Sequence, residues 1–191
     1  MSHTAVIVLI IIIAVVLIAA AIIVSRRKRS EHLREKFGPE YDRTLREKGD
    51  ASRAEAVLLD REKRVKKFSL RTLPAADRDR YADEWAGVQR RFVDDPAGAV
   101  VQADKLVTQV MEARGYPTGD FEQRAADLSV EYPVFVQNYR GAREITLRHA
   151  KGQSSTEDLR RAMVYFRSLF DELLGIHKPQ PVEVTHERLA S

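Results

Sequence analysis

Ala5 to Val24 are twenty consecutive positions without a polar side chain, followed at once by Ser25-Arg26-Arg27-Lys28-Arg29. Fifteen of the twenty are Val, Ile or Leu, and five are Ala. As a helix rising about 1.5 Å per residue, the run covers roughly 30 Å, the thickness of a bilayer's hydrocarbon core. Thirteen of its residues are β-branched, which in water favours a strand. In lipid a lone strand would leave its backbone N–H and C=O groups without partners, so the run predicts a transmembrane helix over residues 1–25. A cleaved signal peptide fits less well. It would have a basic start and an apolar stretch of about 7–15 residues. Here Met1–Thr4 carry no Lys or Arg, and Ile22-Ile23-Val24 continue past the small residues Ala19-Ala20-Ala21.

Charge sets the expected orientation. Arg26, Arg27, Lys28 and Arg29 lie on one side of the apolar run, and the positive-inside rule places that side in the cytoplasm. The sequence therefore predicts a single-pass protein of the cell membrane, with its N-terminus outside and residues 25–191 cytoplasmic. The absence of cysteine fits a reducing compartment. The chain has 32 Lys+Arg against 28 Asp+Glu, a net charge of +4. Residues 26–36 hold six Lys or Arg against two Glu, which leaves the rest of the chain neutral. The pI near 9.4 thus describes a basic collar beside the apolar run. Arg26, Arg27, Lys28 and Arg29 are the candidate membrane-surface residues, and anionic headgroups are their expected partners.

A second basic run spans Arg61 to Arg71. Arg61, Lys63, Arg64, Lys66 and Lys67 form a candidate interaction surface, read as a solvated helix face or a second contact with the membrane. Nucleic acid is disfavoured as the partner, because Phe68 is the only aromatic there to stack on a base.

The remainder reads as all-α, with one domain's worth of core and no alternating run long enough for a sheet. Residues 26–72 are expected to be the collar and a charged, amphipathic helical stalk. Ser30 would cap a first helix, Gly38-Pro39 would interrupt it, and Ala54, Leu58, Val65 and Phe68 would mark the apolar side of a further helix. Residues 73–175 predict a compact bundle of four or five helices with short loops. Tyr81, Trp85, Val88 and Phe92 recur at spacings of a helical face, as do Val100, Ala103, Val107 and Val110. Ser154-Ser155-Thr156-Glu157 reads as a capping box with Ser154 at its head. Leu159 to Leu173 then carry the widest apolar face. Trp85, Phe92, Tyr139, Phe166 and Phe170 are the expected core aromatics. Residues 176–191, with Pro179 and Pro181, are expected to be a disordered tail.

The sequence contains no phosphate loop, no Gly-x-Ser-x-Gly, no HExxH and no CxxC. No cofactor or metal is implied. Glu183-x-x-His186 has the spacing of helical di-metal ligands, but such sites need two copies on bundle helices. Asp94-Asp95, with Tyr116, is the acidic constellation on which an enzyme reading would rest. Helix capping before Pro96 accounts for both carboxylates without catalysis. The favoured reading is therefore not an enzyme but an interaction or scaffold module with a protein partner. Self-association stays open, since Ala14 and Ala21 on one face are too little to specify a helix dimer.

The strings Phe37-Gly38-Pro39-Glu40-Tyr41-Asp42-Arg43, Phe92-Val93-Asp94-Asp95-Pro96 and Asp120-Phe121-Glu122-Gln123-Arg124-Ala125-Ala126-Asp127-Leu128-Ser129 give the chain a family likeness. Over roughly residues 37–174 it resembles a group of uncharacterised bacterial single-pass membrane proteins with an N-terminal apolar segment and a C-terminal helical domain. The resemblance implies a bacterial source and a shared helical domain, and it supplies no catalytic residues.

Overall fold

A computed structural model describes residues 3–175, with side chains from residue 12 onward. Among the described residues the chain forms eight α-helices and no strand: α1 (His3–Phe37), α2 (Pro39–Lys48), α3 (Ala51–Val65), α4 (Ala75–Arg91), α5 (Pro96–Ala113), α6 (Phe121–Glu131), α7 (Pro133–His149) and α8 (Thr156–Leu174). The tail from residue 176, including Glu183 and His186, lies outside the described residues. The helices divide into two compact units. One takes the chain through residue 67 together with 126–137; the other takes 68–125 and the chain from 138 onward.

The first unit departs from the expected stalk because it has a core of its own. α1 does not restart at Ser30 but runs unbroken for 35 residues, about 52 Å at 1.5 Å per residue. Its last turns bury Leu33 and Phe37 completely, and α1 packs on α2 and α3. Tyr41 from α2, Ala54, Leu58 and Val65 from α3, and Leu128, Val130 and Val136 from the 126–137 segment complete the apolar interior. Burying a Leu- or Phe-sized side chain contributes about 1.5–3 kcal/mol, so these contacts are enough to dock α1 firmly. Gly49 ends α2 with φ +68° and turns the chain into α3. Asp50 then caps α3, its carboxylate accepting from the Arg53 N–H at 2.9 Å.

The second unit is a bundle in which α5 packs on both α4 and α8. The five helices α4–α8 match the number expected for 73–175, although 126–137, with the end of α6 and the start of α7, belongs to the first unit. Trp85 stacks on Phe170 with ring centroids 4.7 Å apart, and Tyr139 meets Phe166 edge-on at 6.0 Å. All four are buried. Phe92 is only half-buried, because the helix stops at Arg91 and leaves it at the C-cap. The capping box of α8 sits one residue later than expected. Ser155 accepts from the Asp158 N–H and the Asp158 carboxylate accepts from Ser155. Ser154 is otherwise engaged, its Oγ lying 2.9 Å from His149 Nδ1. Gly115, just beyond α5, has φ +92°, and a Cβ there would lie 2.6 Å from the Ser69 carbonyl oxygen. Its missing side chain lets residues 69–71 lie along the end of α5, where the Arg71 N–H donates to Arg114 O at 3.0 Å.

Candidate functional site

The first unit joins an apolar helix to a closed set of ion pairs. From Ile12 to Val24 every described residue of α1 is exposed, with the large apolar side chains 49–64 % accessible. Nothing in the described chain covers them. Residues 12–24 span about 20 Å, short of a hydrocarbon core, and among the described residues no helix is long and apolar enough to cross a membrane. The expected span begins at Ala5, and the side chains of residues 5–11 lie outside the description. The collar follows directly: Arg26, Arg27, Lys28 and Arg29 are all exposed on the same helix.

From the end of the collar onward along α1, buried carboxylates clamp the helices together. Glu55, 4 % exposed, accepts from Ser30 Oγ of α1 and from Tyr41 OH of α2, and pairs with Arg29 at 3.3 Å. Two turns further on, Glu62 pairs with Lys36 of α1. Glu40, fully buried in α2, takes Arg61 Nη1 at 3.4 Å, and the same guanidinium nitrogen donates to Ser129 Oγ at 3.3 Å. Asp127, 1 % exposed, accepts Arg64 Nε at 2.7 Å. Each carboxylate faces a cation or a hydroxyl, which is what makes such burial tolerable.

These contacts split the second basic run. Arg61 is buried and Arg64 half-buried, both bound to carboxylates inside their own unit, while Lys63, Lys66 and Lys67 are exposed. The five do not present one cationic surface, and the face that nucleic acid would need is missing two of its arginines. One signal in the sequence points to this. Ala54, Leu58, Arg61 and Val65 recur at spacings of four, three and four, so Arg61 lies on the apolar stripe of α3. Its partner Glu40, and Asp127 more than sixty residues away from Arg64, carry no such mark.

The acidic constellation does not assemble. Asp95 caps α5, its Oδ1 accepting from the Gly98 N–H at 2.8 Å and its Oδ2 from Arg91. Those two contacts, the backbone one foremost, hold its carboxyl below the usual range. Asp94 is exposed beside it. Tyr116 lies past the other end of α5, roughly 27 Å away at 1.5 Å per residue. It is buried edge-on against Phe68. Tyr139 has its hydroxyl between Arg124 and Asp104, and burial, then the Asp104 charge, pushes it up to about 12. It is thus a protonated core residue at neutral pH. Among the described residues no three His, Cys, Asp or Glu gather to hold a metal ion.

The second unit also carries a cleft of about 890 Å³ that periodicity did not reveal. It is lined by Gly98, Val101 and Lys105 of α5 and by Glu84, Arg91 and His149. Val101 is 46 % exposed, although it sits among apolar residues of a core helix. No family model, curated protein or solved structure matches the chain.

Proposed function

We propose that this chain is a single-pass, membrane-anchored helical protein that holds an interaction module at the cytoplasmic face of the cell membrane. The observation that carries this reading is the uncovered apolar length of α1, which passes through the basic collar and, without a break, into the buried core of the first unit. In water, so much contiguous apolar surface is unfavourable by about 25 cal/mol per Å². Lipid removes that cost, and the full run from Ala5 to Val24 is about 30 Å long as a helix. The collar would resist translocation and keep the folded units inside. The α5 cleft, lined by both apolar and charged side chains, supports the interaction half of the reading, with a protein as the partner.

The absence of cysteine makes the topology directly measurable. A Glu131→Cys variant places a single thiol at an exposed position of α6. In intact cells it should resist a membrane-impermeant thiol reagent and react once the membrane is opened, while alkaline carbonate leaves the chain in the membrane. Labelling in intact cells would place the domain outside. Release by carbonate would remove the anchor itself.

A further inference from the structure

We infer that the turn between α2 and α3 is a second headgroup-binding element, which joins the collar to form one cationic surface for anionic phospholipid. The inference rests on the anchoring reading above and adds an element that the linear charge pattern did not single out.

The register of the first unit carries it. Arg29 and Ser30 of α1 meet Glu55 of α3, and Lys36 meets Glu62. Seven residues separate the pairs on each helix, so α1 and α3 run parallel and in step. The start of α3, Ala51 to Arg53, therefore stands level with residues 25–28 of α1. α2 runs the other way. Its first turn is held to the far end of α3 by Glu40 and Arg61, and its last turn reaches the start of α3 through Gly49. Arg46, Lys48 and Arg53 are thereby brought to the height of Arg26, Arg27 and Lys28, and all six are exposed. Two of the acidic neighbours are occupied, while Glu31 is exposed a turn further along α1. Glu47 pairs with Arg43 at 2.7 Å, and Asp50 caps α3.

The apolar side of the same level is also complete. A shallow hollow of about 500 Å³ on α1 runs from Ile18, Ala21 and Ile22 up to Ser25, Arg26 and Arg29. Hydrocarbon contact below and cationic contact above is the order in which a phospholipid presents its acyl chain and phosphate. The exposed lysines at the other end of α3, Lys66 and Lys67, lie about 21 Å further from this level than Ser52, beyond a Debye length at physiological salt.

The test uses the full chain reconstituted in phosphatidylcholine vesicles, with and without phosphatidylglycerol. An environment-sensitive fluorophore is attached at Ser52→Cys or, separately, at Lys66→Cys. A lipid spin-labelled on its headgroup serves as quencher. In anionic vesicles, quenching at 52 should exceed that at 66 by about threefold or more, given the separation and screening. It should fall by about half in neutral vesicles, or when Arg46, Lys48 and Arg53 are all changed to Gln. Amide exchange in α3 checks that the triple variant keeps its fold, and the neutral-vesicle comparison needs no variant. Equal quenching at the two positions, or quenching at 52 indifferent to lipid charge, overturns the inference while leaving the anchor standing. Carbonate release of the unaltered chain defeats the anchor, and this surface with it.

Discussion

Arg61 and Lys63 lie two positions apart in one basic run and serve opposite purposes. Arg61 is 8 % exposed and shares Glu40 and Ser129 across three segments of the chain. Lys63 is in solvent, with Asp60 at 3.7 Å. Removing one member of a buried pair takes from the other its charge partner inside the fold, whereas an exposed pair contributes little; Arg43 stays near Glu40, at 3.9 Å. Arg61→Ala should therefore destabilise the first unit by about 3 kcal/mol, roughly a hundredfold loss of exchange protection in α2 and α3. Lys63→Ala should stay within about 0.5 kcal/mol of the unaltered chain. Similar protection in the two variants would return Arg61 to the surface role that its neighbours have. Its place on the Ala54–Leu58–Val65 stripe was legible in the sequence. That Glu40 would be there to meet it was not, because the pairing spans a helix reversal.

At the scale of the helix, end chemistry follows local sequence in kind more closely than in position, and the cap expected at Ser30 does not form because α1 continues through it. Gly49, Gly115 and Gly175 all adopt positive φ beyond helix ends, and Asp95 caps α5. The α8 box moved one residue because His149 engages Ser154 and because Glu157 is held by Arg160. Ser155→Ala should cost about 1 kcal/mol of helix stability, measurable as a lower denaturation midpoint. Asp158 and Asp95 both titrate below the ordinary carboxylate range, chiefly because a backbone N–H bonds the ionised form. A folded pKa below the unfolded value gives stability that is present above the unfolded pKa and lost as pH falls through the folded one. The amide resonances of Ser155 and Gly98 should accordingly shift with midpoints below that of an ordinary Asp carboxyl. In an Asp158→Asn variant the Ser155 shift should vanish. Midpoints at or above the ordinary value would contradict these caps.

For the whole molecule, the boundary expected near residue 72 does not separate the two units. Residues 126–137 supply Asp127, Leu128, Ser129 and Val136 to the first unit, although the chain has by then passed through most of the second. A fragment ending at residue 67 keeps the whole of α1, α2 and α3 but loses the partner of Arg64 and part of the apolar interior. In detergent its α3 amides should exchange at least about a hundredfold faster than in the full chain, the scale of a broken buried pair plus lost core side chains. Undiminished protection would show that 126–137 is dispensable to that unit.

Local pattern was enough for what depends on neighbours along the chain. The apolar run and the adjoining collar follow from composition. The all-α class follows from periodicity, and most helix ends follow from Gly, Pro and Asp, because helical hydrogen bonds and caps close within a few residues. Tertiary structure decided where the charges went. The packing of α2 and of residues 126–137 on α3 hides Arg61 and gives Arg64 to Asp127, while the parallel register of α1 and α3, with α2 reversed between them, raises Arg46, Lys48 and Arg53 to the level of the collar. A buried ion pair forms where two helices bring opposite charges together out of water, and that meeting depends on packing between segments that periodicity treats one at a time.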